Sequence, residues 1–232
     1  MYKNKSFLGI IPARGGSKRL PRKNILDLAG KPLIAWTIEA SLKSRYINKT
    51  IVTSDDEEIL AISEKYGANV TKRPQELASD TATTFDAIKH TIENVNDYDY
   101  IVLLQPTSPL RNEKHIDAAI ELLEEKSADA VISVCEMEHS PLWSNTLQED
   151  NNMSNFLSDE IKNKRNQDLP TYYRLNGAIY ICNINRMLEE ETLFLNNNIY
   201  AYVMDRNSSV DIDEDIDFKL AEILFSEDCN VY

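Results

Sequence analysis

The sequence predicts an α/β fold with a mostly parallel central sheet. Short apolar runs alternate with amphipathic segments of helical period along most of the 232 residues, and this alternation is typical of βαβ units. A composition of 42% hydrophobic and 27% charged residues argues against disorder. Because a chain of this length can form one sizeable core, we treat residues 1–232 as a single domain.

The first half of the chain has the clearest elements. FLGIIP (Phe7–Pro12) predicts a buried first strand, and PLIAWTIEASLKS predicts a helix with Pro32 at its start. KTIVTS predicts a second strand. Asp55 or Asp56 is a suitable cap for the next helix, EEILAISEKYG, which Gly67 ends. TFDAIKHTIEN predicts a third helix.

Alternation continues through the second half. YIVLLQ (residues 100–105) predicts a central strand, followed by the helix EKHIDAAIELLEEK and the strand DAVISVCEM. GAIYICN and IYAYVMD predict two more strands, and DFKLAEILFS predicts a last helix. Residues 138–173 break the pattern, since they are rich in Asn, Asp and Ser and have no period. We predict an inserted arm there, because long irregular stretches in compact domains are usually functional or ordered by a partner.

Charge is distributed unevenly. The formal net charge is −13, yet residues 1–33 carry +7, so the rest of the chain carries −20. The basic residues of that first segment, against Asp27 alone, are Lys3, Lys5, Arg14, Lys18, Arg19, Arg22, Lys23 and Lys31. A local positive site on a negative body predicts a small anionic ligand and disfavours a nucleic-acid partner.

The hydropathy of the chain, its N-terminus and its cysteines together predict a cytoplasmic protein. No apolar run is long enough to span a bilayer, and the N-terminus does not resemble a signal peptide, so we expect no membrane partner. Cys135, Cys182 and Cys229 are odd in number and far apart. That pattern fits free thiols in a reducing compartment better than disulfides or a zinc site.

The loop after the first strand, ARGGSKRLPRKN, predicts a phosphate site. Gly15 and Gly16 have no Cβ to prevent close approach of the backbone to a phosphate. Exposed backbone N–H groups, with Arg14, Lys18 and Lys23 around them, would hold a triphosphate at the carboxyl edge of the sheet. The alternative is a solvated basic loop, which the density of Gly, Ser, Lys and Arg at one strand end disfavours. Neither a Walker A loop nor a G-x-G-x-x-G fingerprint is present.

The stretch VDIDEDID predicts a metal site. Asp211 and Asp213 alternate with apolar residues, so both carboxylates share one face of an extended segment. Two such oxygen ligands suit a magnesium ion that is shared with substrate phosphates. An EF-hand loop is disfavoured because Ile216 occupies the position of its glycine. The remaining alternative, charges at a helix N-terminus, accounts better for Asp215 and Asp217.

Three further polar stretches carry weaker signals. KRPQELASDTATT contains Arg73 and Thr84, but its spacing alone favours capping of the next helix. Gln105 ends a strand, where it would hydrogen-bond a ligand. Arg174 and Asn176 precede a strand, and Arg174 is suited to a carboxylate. No Ser-His-Asp or Cys-His pattern supports a side-chain nucleophile.

Taken in order, IIPARGGSKRLPRKNI, RPQELASDTATT, LLQPTSPLR, RLNGAIYI and DIDEDID resemble the acylneuraminate cytidylyltransferases, the CMP-sialic acid synthetases. The resemblance extends from Leu8 to about Leu224. It implies a Rossmann-like three-layer nucleotidyltransferase fold. It also implies that CTP and a nonulosonic acid give a CMP-sugar and pyrophosphate with Mg²⁺ (or Mn²⁺). A homodimer is implied too, in which the inserted arm of one subunit reaches the other subunit's site.

The resemblance also assigns site residues. Those that would contact the nucleotide are Ala13, Arg14, Gly15, Gly16, Ser17, Lys18, Lys23, Asn24, Arg73, Ala82 and Thr84. Those that would face the sugar acid are Gln105, Arg174, Asn176 and, from the arm of the other subunit, Arg165. Asp211 and Asp213 would hold the metal. Attack by the anomeric hydroxyl on the α-phosphorus needs positioning and charge neutralisation, for which Arg14 and Lys23 are candidates. It does not need a covalent intermediate. Asp211, directly or through metal-bound water, is the candidate base.

Alternatives remain open within and beyond this family. RLP (Arg19–Pro21) also resembles the synthetases that activate Kdo, whereas the following RKNI favours the sialic branch. Within that branch the motifs do not rank N-acetylneuraminate, legionaminate and pseudaminate. Asp211-Ile212-Asp213 is formally the D-x-D motif of a glycosyltransferase. A nucleotide-binding regulator without catalysis is a third class, which the presence of Lys18 and Lys23 disfavours.

Overall fold

The computed structural model describes residues 2–79, 81–95 and 97–228, so Cys229 lies outside the described residues. In chain order the elements are β1 (Phe7–Pro12), β2 (Asp27–Leu28), β3 (Lys31–Pro32), α1 (Leu33–Lys43), β4 (Ile47–Ser54), α2 (Glu57–Lys65), β5 (Asn69–Lys72), α3 (Thr84–Ile92), β6 (Tyr100–Leu103), α4 (Glu113–Glu125), β7 (Ala130–Glu136), β8 (Tyr173–Asn183), α5 (Ile184–Glu190), β9 (Ile199–Met204) and α6 (Asp215–Asp228).

Seven strands form the main sheet, in the order β5-β4-β1-β6-β8-β7-β9. β1 pairs in parallel with β4 and β6, β4 with β5, and β7 with β9. β8 runs antiparallel to both of its neighbours, β6 and β7. The mostly parallel sheet is therefore confirmed, and β6 occupies its centre as the sequence predicts.

Helices cover both faces of the sheet. Side chains alternate along β1: Phe7 and Ile11 join one apolar cluster, whereas Leu8 and Ile10 join another. α1 and α4 contribute to the first cluster, and α3 and α5 to the second. Because each face of the sheet is buried under helices, the three-layer α/β architecture is confirmed.

Capping residues determine where several helices begin and end. Asp56 caps α2 by accepting hydrogen bonds from two backbone N–H groups, and Gly67 follows that helix with a φ of 92°. α3 begins with a capping box between Thr83 and Asp86. The short elements β2, β3, β5 and α5 were not predicted, since runs of two to seven residues carry little periodic signal.

The predicted arm connects β7 to β8. Apart from the one-turn 3₁₀ segments Pro141–Trp143 and Asn166–Asp168, it has no regular structure. Its predicted end needs one correction: Tyr173 is the first residue of β8, because its backbone pairs with that of Glu136. We call residues 138–172 the arm. Among the described residues, no helix combines the length and apolar character needed to cross a membrane.

Candidate active site

A cleft of about 580 Å³, which we call the first cleft, opens at the carboxyl edge of the parallel strands. The predicted nucleotide-binding residues that line it are Arg14, Ser17, Lys18, Lys23, Asn24, Arg73, Ala82 and Thr84, and Gln105 and Asp213 join them. Lining residues that were not predicted are Pro12, Arg19, Leu20, Leu77, Ala78, Ser79, Thr83, Pro106 and Thr107. The basic loop and the polar residues at the strand ends were therefore the features of the sequence that predicted this cleft.

Residues 13–24, which we call the phosphate loop after its predicted role, are held against the start of α2. The Gly15 N–H donates to Asp55 Oδ1 at 3.1 Å, and a Cβ on Gly15 would lie 2.7 Å from Asp56 Oδ2. Gly15 therefore leaves room for a carboxylate of the protein itself. A Cβ on Gly16 would meet nothing within 4 Å. Ala13, Gly15 and Gly16 do not line the first cleft.

Arg22 sets the shape of the loop's second half. It has a left-handed conformation (φ 55°) and precedes the 3₁₀ turn Lys23–Ile25. Its guanidinium forms ion pairs with Asp56, at 3.2 Å, and with Glu58. These contacts offset the cost of a positive φ in a non-glycine residue. Asn24 then donates from Nδ2 to the Arg14 carbonyl at 3.0 Å, so it supports the loop as well as lining the cleft.

Arg73 brings a buried guanidinium to the same cleft. Burial lowers its pKa, and its Nε has no hydrogen-bond partner among the described residues. Its backbone N–H donates to the Ser54 carbonyl at 2.8 Å, which fixes the residue just beyond β5. A desolvated cation with an unused donor is suited to an anionic or carbonyl-bearing ligand.

Lys23 connects the phosphate loop to the Asp211–Asp213 segment. Its Nζ lies 2.7 Å from the Ile212 carbonyl oxygen and 3.0 Å from Asp213 Oδ1. Arg19 lies 3.5 Å from the other oxygen of Asp213. Basic residues from the loop therefore neutralise this carboxylate at the edge of the cleft.

Asp211 is on the inner side of that segment and does not line the first cleft. Burial raises its pKa, and a hydrogen bond from Thr107 partly opposes the rise. Its Oδ1 is buried without a hydrogen-bond partner among the described residues. The Ile212 N–H donates to the Thr107 carbonyl at 2.8 Å, which anchors the segment to the turn after β6.

A divalent cation fits this pair. An unpartnered buried carboxylate oxygen on Asp211, with the half-exposed carboxylate of Asp213 nearby in sequence, suits a hard cation. Within the described ranges, three or more His, Cys, Asp or Glu residues do not gather into a metal site. α6 begins at Asp215, so the second half of the segment is helical, as its apolar spacing predicts.

Gln105 lies between two clefts. A second cleft of about 620 Å³ shares Gln105, Thr83 and Thr84 with the first and is also lined by Tyr180 and Phe194. Gln105 Oε1 would lie 3.1 Å from a Cβ built on Gly177, and Asp211 Oδ2 would lie 3.6 Å from it. Gly177 has a φ of 72°, so its missing side chain provides the space in which the Gln105 amide and Asp211 approach each other.

Asn176 does not reach either cleft. It is 1% exposed, its Oδ1 accepts from the Ser133 hydroxyl at 2.6 Å, and its Nδ2 donates to the Ser209 hydroxyl at 2.9 Å. The β7–β8 register is irregular between Ile132 and Val134. Asn176 therefore stabilises a bulge, and the bulge presents Gly177 to the site.

The two arginines that were predicted to face the sugar also lie away from the clefts of this chain. Arg174 pairs with Glu138 at 3.4 Å, and Arg165 pairs with Asp168 at 3.0 Å within the arm. Neither lines the first or the second cleft. Arg165 stays a prediction about the other subunit, and Arg174 lies at the base of the arm.

Comparisons with known proteins identify the family and the fold of the chain. A family model described as Cytidylyltransferase matches residues 8–232. The chain belongs to the cytidylyltransferase family. An N-acylneuraminate cytidylyltransferase of Escherichia coli O18:K1:H7 is 43% identical over 93% of this chain and 51% of its own length. This chain thus spans about half the length of the N-acylneuraminate cytidylyltransferases that it matches.

Other relatives of the family are similar in length to this chain. A pseudaminic acid cytidylyltransferase of Campylobacter jejuni serotype O:23/36 is 36% identical over 94% of this chain and 95% of its own length. Among solved structures, a CMP:2-keto-3-deoxy-manno-octonic acid synthetase complexed with CTP has a TM-score of 0.72 at 17% identity, covering 97% of this chain and 100% of that one. The last comparison shows the Rossmann-like nucleotidyltransferase fold that was expected.

Some residues at the clefts were not predicted from the sequence. Asp55 and Asp56 were considered only as a helix cap, although they also contact the phosphate loop. Their place directly after a strand that ends at the ligand edge could have indicated this. Tyr180 and Phe194 of the second cleft come from a strand and an irregular segment, and no spacing links them.

Proposed function

We propose that the chain transfers a cytidylyl group from CTP to a nonulosonic acid and releases pyrophosphate. The observation that carries the proposal is that Lys23 joins the basic phosphate loop to the Asp211–Asp213 segment, through the Ile212 carbonyl and the Asp213 carboxylate. Triphosphate chemistry needs cationic groups around the phosphates and a carboxylate-held metal at the reacting phosphorus. Membership of the cytidylyltransferase family supports CTP as the nucleotide.

Each cleft has a substrate in this proposal. The first cleft holds CTP, with Arg14, Lys18 and Lys23 around the phosphates and Arg73, Ala82 and Thr84 toward the nucleoside. The second cleft holds the sugar acid, and Gln105 on the shared wall hydrogen-bonds it. The anomeric oxygen forms a bond to the α-phosphorus while the bond from that phosphorus to pyrophosphate breaks.

Asp211 is the proposed base for the anomeric hydroxyl. Its buried oxygen has no partner among the described residues, and burial raises its pKa toward the range in which a carboxylate accepts a proton efficiently. Asp211 and Asp213 would also hold Mg²⁺ or Mn²⁺, which when bound neutralises phosphate charge. Lys23 and Arg14 would neutralise charge on the phosphate side.

Sialic-type acids are the proposed acceptors, with N-acetylneuraminate first and legionaminate, pseudaminate and Kdo as alternatives. Pyrophosphate release from CTP and Mg²⁺ with N-acetylneuraminate tests this directly. Release that depends on the sugar supports the proposal. Release with another acid of the series would support the reaction but change the substrate, whereas failure to bind CTP would contradict the reaction and the substrate alike.

The proposed role is in cell-surface polysaccharide biosynthesis. Buried free thiols at Cys135 and Cys182 support a reducing, cytoplasmic location.

A homodimer is also proposed. Leu175, Val134 and Val203 lie side by side across β8, β7 and β9, and Leu175 and Val203 are 49% and 54% exposed. Tyr173, on the same face, is 51% exposed. An apolar sheet face at the base of the arm is suited to a second copy of the chain, whose Arg165 would then reach the sugar site. Val203→Glu should produce a monomer by light scattering, and an unchanged dimer would contradict this interface.

A further inference from the structure

Arg111 is a buried cation without a carboxylate partner. It follows the turn after β6, is 1% exposed and is among the largest fully buried side chains. Buried arginines are normally paired with acids, but none of the ion pairs in the described ranges involves Arg111. Burial lowers its pKa to about 9, which still leaves the guanidinium charged at neutral pH.

The side chain of Arg111 hydrogen-bonds two neighbouring groups, on Thr37 and on Gln105. Its Nη2 donates to Thr37 Oγ1 at 2.9 Å and to the Gln105 carbonyl at 3.3 Å. The Thr37 hydroxyl is itself 3.4 Å from that carbonyl oxygen. Nε and Nη1 have no hydrogen-bond partner among the described residues. The buried guanidinium of Arg111 therefore binds the main-chain carbonyl of Gln105 and the hydroxyl of Thr37, which lies next to that carbonyl.

Gln105 is the residue that the two clefts share. Its side-chain oxygen approaches Gly177, and its carbonyl is the group that Arg111 and Thr37 bind. Rotation of the peptide at Gln105 would move the amide out of the shared wall. Nη2 of the buried guanidinium donates to both acceptors and so restricts that rotation. The ammonium of a lysine is carried on a shorter side chain and would not reach the same position.

We propose that Arg111 is a positioning residue, which fixes the main chain at Gln105 and so aims the Gln105 amide at the sugar acid. This inference rests on the proposed function. The role is distinct from charge neutralisation at the phosphates, because Arg111 lines neither cleft and its side chain binds Gln105 and Thr37. Its loss should therefore weaken use of the sugar acid and leave use of CTP nearly unchanged.

The test compares Arg111→Lys, Gln105→Ala and the double variant in steady-state assays with CTP and the sugar acid that the wild type uses. We expect Arg111→Lys to raise KM for the sugar acid about tenfold, with KM for CTP within about twofold. In the Gln105→Ala background, Arg111→Lys should change KM for the sugar acid no further, because the amide that it positions is gone. Equal rises in both KM values, or full additivity in the double variant, would overturn the inference.

Two controls separate this role from loss of folding and from failure of the proposed function. Ser44→Ala removes a buried hydrogen bond to Asp117, away from both clefts, and should lower Tm without changing either KM. If Arg111→Lys does not fold, Thr37→Val removes the second acceptor of the guanidinium and should give the same selective rise. An unchanged KM in Thr37→Val would then count against the role of Arg111. A wild type inactive with every nonulosonic acid contradicts the proposed function, whereas an active wild type with unselective variants contradicts this inference alone.

Discussion

Lys23 Nζ lies 3.0 Å from Asp213 Oδ1, so two residues that are 190 positions apart in the sequence form one ion pair at the edge of the first cleft. The lysine side chain is 15% exposed and the aspartate side chain 54% exposed. The phosphate loop and the Asp211–Asp213 segment are thus already assembled around each other. In the proposed function, a triphosphate and its cation would compete for the two partners of this pair, and this competition would couple the binding of nucleotide to the binding of metal.

Lys23→Met should reduce turnover about 10²- to 10³-fold, because it removes a preorganised cation from the reacting phosphates. Steady-state pyrophosphate release, with CTP affinity measured by calorimetry, checks this. Lys65→Met is the matched control, since Lys65 is exposed in the last turn of α2 and does not line either cleft. A Lys23→Met enzyme with the activity of the control would contradict the assignment of the phosphate loop.

Asp211→Asn should reduce turnover far more than it reduces CTP binding without metal. The reason is that, in the proposed function, the carboxylate would contribute to the metal site and to proton removal, whereas it does not line the first cleft. Turnover at saturating substrates and metal-free CTP calorimetry measure the two effects. Mn²⁺ binding in the presence of CTP, followed by electron paramagnetic resonance, gives a readout that is independent of activity. Equal losses of turnover and of metal-free CTP binding would argue against a metal role.

The same variant should stabilise the metal-free protein at neutral pH. Burial raises the folded-state pKa of Asp211 above its ordinary value, so ionised Asp211 lowers the free energy of unfolding above that folded pKa. The penalty disappears as pH falls below the ordinary aspartate pKa, where both states are protonated. Asn is neutral at every pH, so we expect a Tm higher than that of the wild type at pH 7. Differential scanning calorimetry from pH 7 to pH 4 should show the gap closing; a gap that widens on acidification would contradict the assigned pKa direction.

Gly15→Ala should weaken CTP binding at least tenfold, because the added Cβ would lie 2.7 Å from Asp56 Oδ2 and displace the phosphate loop from α2. Gly16→Ala is the matched control for folding, since its Cβ would meet nothing within 4 Å. Tm measurements should show a loss for Gly15→Ala only. If Gly16→Ala keeps its Tm and still loses CTP affinity, then Gly16 is the position at which the backbone approaches the phosphate.

Gly177→Ala should raise KM for the sugar acid, because its Cβ would lie 3.1 Å from Gln105 Oε1. The substitution also places alanine at a φ of 72°, which costs roughly 1–2 kcal/mol. Gly30→Ala separates the two effects, since Gly30 has a φ of 90° and no neighbour within 4 Å of a Cβ. Both variants should lose Tm, but the change in KM should occur in Gly177→Ala alone. A KM change of the same size in Gly30→Ala would show that backbone strain, and not contact with Gln105, is responsible.

The parts of the structure that could be predicted from the sequence are those with a local physical signal. Alternation of apolar runs predicted the sheet, and the charge density between Arg14 and Lys23 predicted the first cleft. Asp211 and Asp213 were singled out from spacing, but spacing alone could not show that Asp213 would pair with Lys23 while Asp211 would face the turn after β6. That difference depends on contacts between segments far apart in the chain.

Two residues illustrate what the sequence could not supply. Asn176 precedes a strand core and was assigned to the sugar through resemblance, yet its amide is buried against Ser133 and Ser209. A polar residue in a bulge and one in a binding site have the same local pattern. Arg111 lies within the quoted motif LLQPTSPLR but gave no reason to expect burial, because surface arginines are the rule. Only the packed turn after β6 shows its contact with Gln105.

The antiparallel direction of β8 has a consequence for the arm. Because β7 and β8 are adjacent and antiparallel, the arm is topologically the loop of a β-hairpin, with its two ends brought together by the pairs Glu136–Tyr173 and Cys135–Arg174. The entropy of closing such a loop changes only slowly with its length. The catalytic body would therefore tolerate replacement of the whole arm by a tight turn of a few residues. The seven-stranded sheet could then be produced without the arm, while the apolar face of Leu175, Val134 and Val203 stays in place, and insertions in the arm could be accepted without disturbing the sheet.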